Sequence, residues 1–502
     1  MLSSKTILAI VLSSVTTFCL AQVTKTSGIE ELYQRARQAQ ERGDYAHAAR
    51  EWEAIVQRAP GMAEAHSNLG MIYHLSGEYG AAIEAFRRAL HINPELVTPS
   101  LFLGIDYYLT SRIEEAIEQL RRALALDPKS TVARKWLGMS YAHAEDFLTA
   151  AEHLRLCRAE DPKDIDLLFH LGRVYSRICY RSYESLRLLA PESAWQHLLK
   201  GEKHLDQGLL ERARVEFRLV LLVDPRWKEA VRLTLDGASP ESVVSTMPTI
   251  QQGTAGGDRS GRARQLLIKG ETATALELFS ALQKANPDNA EYLYFVGRCA
   301  EKLAVDVLQQ FLRIAPDSYR AHQLKAEYHI ARNDPEEAIA EYRQALSLKS
   351  NAIQIHLAVG AIYENQRDYK KALVEYHNEL KSDPFSALAM ERIGTIYVQM
   401  HQASEAKKYL LQAARISPNS AETHKALGKV YFQDGLYAEA VKHFELALQK
   451  AATKDPSVYF QLSKALRKTG NVEAADQNLI IFKRALGEKL KRLQSTTGKV
   501  ID

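Results

Sequence analysis

Histidine is the side chain most suited to metal or acid–base chemistry at neutral pH, and the chain has 16 of them. They are dispersed over helical stretches. Even close pairs such as His66 and His74 stand eight residues apart, roughly two helical turns. Zinc sites draw their ligands from tighter, matched spacings, and no C-x-x-C pair or clustered His/Cys spacing occurs. Nor is there an H-E-x-x-H, a G-x-S-x-G or a G-x-x-x-x-G-K-[ST]. The run from Gly253 to Gly261 has the glycines of a phosphate-cradling loop but lacks its lysine, and no strand pattern precedes it. Cys157 and Cys299 stand where small residues recur and Cys179 lies in an irregular stretch, so all three read as small packed hydrophobes. These residue types predict no metal, no cofactor and no catalytic centre.

What orders the chain is a period. An aliphatic residue, Gly, two variable residues and Tyr recur from Leu69, Leu103, Leu137, Leu171, Val359, Ile393 and Leu427; the first four start 34 residues apart, as do the last three. A period of that length is one supersecondary unit copied and stacked. In one copy Leu69, Gly70 and Tyr73 are followed by Gly77, Tyr79, Ala82, Phe86, Ala89 and Pro94. Gly70 and Ala82 let two antiparallel helices approach closely, while Tyr73 and Phe86 fill the space beside them. Gly77 permits the positive φ that ends the first helix, and Pro94 stops the second.

This pattern closely resembles the tetratricopeptide repeat. The match extends to pairs such as Ala48/Trp52, Ala150/Leu154, Ala213/Phe217, Ala338/Tyr342 and Ala440/Phe444, and to closing prolines from Pro60 to Pro418. The resemblance implies an all-α fold, a right-handed α-solenoid of about twelve helix-turn-helix repeats, whose first helices line a concave groove that holds segments of partner proteins. Carried over repeat by repeat, the groove positions include Met71, His74, Leu101, Ile105, Tyr108, Lys135, Met139, Phe169 and Arg173, then Arg320, Glu391, Lys425 and Lys429. The first group is mostly apolar, and Leu101, Ile105, Tyr108, Met139 and Phe169 are expected to form one apolar patch. The second is polar. Asn68 alone occupies a carboxylate-clamp position, so that mode of peptide capture is not expected.

The period lapses in places. Residues 176–193 lose the expected Gly and Ala, which predicts a distorted second helix. From Gly297 to Pro316 there are 19 positions where Gly70 to Pro94 spans 24, so about a turn is missing. Residues 236–261, rich in Gly, Ser, Thr and Pro, read as a flexible linker between a first array over 29–235 and a second over 262–494. The second ends in a capping helix that carries Leu479, Phe482 and Leu486, with a disordered tail over 495–502.

Residues 1–21 have the layout of an export signal, with Lys5, an apolar run from Ile7 to Val15, and Ala21 before Gln22. Export to a periplasm or beyond the cell is therefore expected, an uncleaved N-terminal anchor being the competitor. A formal charge of +4 over 502 residues is too balanced for a surface that reads phosphates, which argues against nucleic acid. The whole predicts a non-enzymatic scaffold for protein or peptide segments; the alternative is an accessory subunit for envelope assembly or polysaccharide export.

Overall fold

The computed structural model describes residues 28–237, 240–248, 255–331, 334–450 and 455–497; the export signal expected over 1–21 and the last residues of the expected tail lie outside them. The described residues are all-α, and no strand occurs among them. They form two compact units, Leu120–Pro316 and a second made of residues 28–119 and 317–497.

In the second unit, helices pair in chain order: α1 (Ile29–Glu41) with α2 (Tyr45–Arg58), and α3 (Ala63–Ser76) with α4 (Tyr79–Ile92). α5 (Val97–Leu109) packs on α4, and α6 (Ile113–Leu126) carries the chain across the boundary. Beyond residue 317 the pairs are α17 (Tyr319–Ala331) with α18 (Pro335–Leu348), α19 (Ile355–Asn365) with α20 (Tyr369–Ser382), and α21 (Ala387–Gln399) with α22 (Ala403–Ile416). α23 (Ala421–Gln433) with α24 (Tyr437–Lys450) and α25 (Pro456–Lys468) with α26 (Val472–Thr497) complete them. The unit Leu120–Pro316 holds α7 (Thr131–His143), α8 (Phe147–Glu160), α9 (Ile165–Leu189), α10 (Ala194–Asp206), α11 (Leu210–Val223), α12 (Lys228–Leu235), α13 (Pro240–Thr246), α14 (Ala255–Ile268), α15 (Thr272–Ala285) and α16 (Ala290–Ile314).

The repeat chemistry explains each pair. A Cβ on Gly70 would lie 2.7 Å from the Phe86 ring, on Gly138 2.9 Å from Leu154, and on Gly428 2.6 Å from Phe444. The helices are thus in contact through the missing side chain. Ser130, Asp164, Ser193, Ser386 and Ser420 cap first helices by accepting an N–H from the turn they open. Between the helices of a pair one residue takes positive φ: Gly77 at 81°, but also Ser111, Glu145, Arg367 and His401 near 60°. These four non-glycines pay a small steric cost for the same tight stop.

The two irregular repeats resolve into one arrangement. α9 and α16 have 25 residues each, against 13 or 14 for most other helices, because each runs through the place where its repeat should turn. Gly172 to Pro191 spans the same 19 positions as Gly297 to Pro316. The missing residues are those of the turn, so no positive φ interrupts either helix. The long helices pack antiparallel on each other and exchange halves. A Cβ on Gly172 would meet Leu308 of α16 at 2.5 Å, and one on Gly297 would meet the Tyr183 ring of α9. The first half of α9 is therefore completed by the second half of α16, and the first half of α16 by the second half of α9. Residues 176–193 hold no distorted helix; they hold an undistorted one that serves another repeat.

The expected linker is also revised. Its described parts include α13 and the start of α14. Val243 and Met247 are buried, and Arg264 Nη1 and Nη2 donate to the carbonyls of Met247 (3.1 Å) and Pro248 (3.0 Å). Among the described residues of this stretch, 240–248 are thus held by buried side chains and by Arg264.

Candidate binding surfaces

The groove positions read from the repeat divide into three groups. Met71, Leu101, Ile105 and Phe169 are buried, Phe169 completely, with its ring 6.3 Å from that of Phe311. Tyr108 and Met139 keep partial exposure. The expected patch of five exposed apolar residues is thus not present: Leu101, Ile105 and Phe169 are spent on packing, which a one-helix view of the repeat could not register. Arg173 lies over the Phe169 ring at 5.5 Å.

A second group ties neighbouring repeats together. Lys135 Nζ lies 2.6 Å from Asp164, the N-cap of α9. Glu391 accepts from Ser420, the N-cap of α23, at 2.5 Å and from Thr423 at 2.6 Å. Lys425 reaches Asp455, the N-cap of α25, at 3.0 Å and Glu422 at 3.0 Å. One position of the first helix thus fastens the start of the next first helix. Arg320 lies over the Tyr319 ring at 4.8 Å and donates to Gln323 at 2.8 Å.

The third group is made of strained charges. His74 Nδ1 is 2.5 Å from Asp106, whose side chain is fully buried and whose Oδ2 has no partner. Burial pushes the Asp106 carboxyl up, and His74 pulls it back. Lys429 is held below the usual lysine range by burial and then by Lys425.

The dispersed histidines turn out to share a phase that spacing between neighbours did not reveal. His197, His322 and His356 stand at one position of their first helices, each with Nδ1 2.6–2.7 Å from a glutamate nineteen residues on: Glu216, Glu341 and Glu375. His424 stands there too, but its partner is His443, Nδ1 to Nδ1 at 3.1 Å. Comparing each histidine with the repeat, not with the nearest histidine, is the signal that finds them. No group of three or more metal-ligating side chains occurs among the described residues. Burial pushes the thiols of Cys157, Cys179 and Cys299 up to about 11, 12 and 12, so they stay protonated and act as packing groups.

The unit Leu120–Pro316 contains an open recess of about 560 Å3, in the size range of ligand pockets. α10 contributes Glu202, Leu205 and Asp206; α13 and the residue after it contribute Val243, Val244 and Met247; α16 contributes Phe295, Arg298, Glu301 and Lys302. Tyr294 donates to both Glu202 oxygens, at 2.9 and 3.1 Å. Arg298 lies 3.1 Å from Glu301 and 4.0 Å from Glu202. Tyr183, arriving on the exchanged half of α9, donates to Glu301 at 2.8 Å. None of these residues was among the expected groove positions, because the recess is assembled from several helices, α10, α13 and α16 among them, that the repeat phase of one first helix does not bring together.

The family model described as "Tetratricopeptide repeat" matches residues 33–96, 103–165, 261–304 and 391–456, and one described as "TPR repeat" matches 329–366, between them more than half of the chain. No curated protein matches. Among solved structures the chain is similar to MamA from Desulfovibrio magneticus RS-1, with 18% identity over 36% of this chain and 97% of that one at a TM-score of 0.31. It is similar also to Pseudomonas aeruginosa pilF, with 17% identity over 49% and 97% at 0.34. The Cut9 and Hcn1 assembly of APC/C matches over 92% of this chain and 88% of the other, with 16% identity at 0.31.

Proposed function

Because the chain belongs to the tetratricopeptide-repeat family, we propose that it is a non-enzymatic scaffold that binds segments of other proteins. Repeat stacks place their working surface along the helix faces left open by stacking. The observation that supports this reading here is the open recess of the unit Leu120–Pro316, apolar along one wall and charged along the other. The mixed character suits a protein segment, which offers apolar and polar side chains together. Cross-linking of the full chain in its native compartment, followed by mapping of the linked residues, tests the proposal. Links to one or a few proteins on open helix faces support it; a chain that remains unlinked refutes it.

The leader-like residues 1–21 support a place of action beyond the cytoplasm, and with it the narrower reading of an accessory in envelope assembly or polysaccharide export. Fractionation of cells producing the full chain, with the mass of its N-terminus, tests that: a cytoplasmic chain that retains Met1 to Ala21 overturns it.

A further inference from the structure

We propose that the recess of the unit Leu120–Pro316 takes the side chain of a lysine or arginine from an extended segment of a partner protein. This rests on the scaffold reading and adds the chemistry of the partner. Glu202 and Asp206 stand one turn apart on α10, where like charges repel. Asp206 is exposed, and its side chain makes no hydrogen bond or ion pair among the described residues. Glu202 has one cation near it, Arg298 at 4.0 Å, and that guanidinium is closer to Glu301 at 3.1 Å. Three carboxylates and two cations line the recess, so its lining has one more acidic group than basic ones.

The apolar wall selects the kind of cation. Leu205 shares α10 with the carboxylates Glu202 and Asp206, and Val243, Val244 and Met247 line the same recess. A lysine or arginine lays its aliphatic stem along apolar surface while its head stays with polar partners. A bare metal ion would leave that wall uncovered, and an acidic side chain would meet three carboxylates. A purely apolar side chain would cover the wall but leave Glu202 and Asp206 repelling each other.

The test uses the full chain and four capped pentapeptides, Ala-Ala-Xaa-Ala-Ala, with lysine, arginine, norleucine or glutamate in the centre, followed by saturation-transfer NMR and titration. The lysine and arginine peptides should bind at least about tenfold more tightly than norleucine, the size of effect expected of a charge-assisted hydrogen bond. Asp206→Asn should remove most of that difference without lowering helix content or melting temperature, since the Asp206 side chain has no partner among the described residues and its charge repels that of Glu202. Raising the salt should shrink it further. Equal binding of norleucine and lysine, preference for glutamate, absence of binding, or indifference to Asp206→Asn each overturns the proposal. The scaffold reading fails separately: a cross-linked partner whose affinity ignores Asp206→Asn leaves it standing and removes this one.

Discussion

Tyr183 covers Gly297, a glycine of another repeat, while Gly172, the glycine of its own, is covered by Leu308. In the ordinary repeats the covering residue comes sixteen positions after the glycine, as Phe86 follows Gly70 and Phe217 follows Gly201. The exchange makes a strict statement about coupling. Gly297→Ala should cost about 1–3 kcal/mol by overpacking, and shrinking Tyr183 to Ala should cancel part of that cost. Urea unfolding of the double-mutant cycle should give a coupling of about 0.5–3 kcal/mol for Gly297 with Tyr183. Gly297 with Leu308, more than two turns away on the same helix, should be additive. The reverse result would mean that the two long helices do not exchange halves.

Arg264 and Glu291 form an ion pair at 2.7 Å with exposures of 5% and 2%, so breaking it strands a buried charge. Arg264→Ala should cost about 3–5 kcal/mol. Because Arg264 also holds the carbonyls of Met247 and Pro248, amide exchange in residues 240–248 should quicken in the same variant. Arg264→Met with Glu291→Leu should recover most of the stability but not the slow exchange.

Glu379 is fully buried and accepts the backbone N–H groups of Gln354 at 2.6 Å and Leu357 at 3.2 Å. It replaces the capping side chain that α19 lacks, since Gln354 has φ 71° and makes no side-chain cap. Glu379→Ala should cost about 1–2 kcal/mol, as loss of a helix cap does. Introducing Ala at the solvent-facing Glu405 should change melting little.

The pair His424–His443 should make stability fall with acid. His424 Nε2 donates to the Pro418 carbonyl at 3.0 Å, so its neutral Nδ1 accepts from His443 Nδ1. Burial, then His424, holds His443 below its ordinary value of 6.5, with Lys442 opposing and Glu439 favouring its charge. Between that depressed value and 6.5 the unfolded chain binds more protons, so stability is lost as pH drops through this interval. His443→Glu rebuilds the His–Glu pair of three other repeats. Its melting temperature should fall less than that of the native chain between pH 7 and 5; an unchanged difference would remove this account.

Much of the fold was legible because it is local. The pairing of Gly70 with Phe86, the stop at Gly77 and the end at Pro94 are set by residues within one repeat. The binding surface was less legible. Leu101, Ile105 and Phe169 occupy groove positions by phase, yet all three are buried. Lys135, Glu391 and Lys425 carry charges at such positions, yet each reaches the N-cap of the next first helix. Phase along one helix says which side a residue stands on; it does not say what arrives to cover it.

By itself the sequence determined the helix pairs, their spacing, the missing turn after Gly297 and the irregularity after Gly172, since each depends on backbone preferences and small-residue packing within a few tens of residues. Only the tertiary structure decided how those two repeats are completed. A helix that has lost its turn cannot fold back on its own glycine, so the burial of Gly172 and Gly297 depends on α9 and α16 meeting across a long stretch of chain.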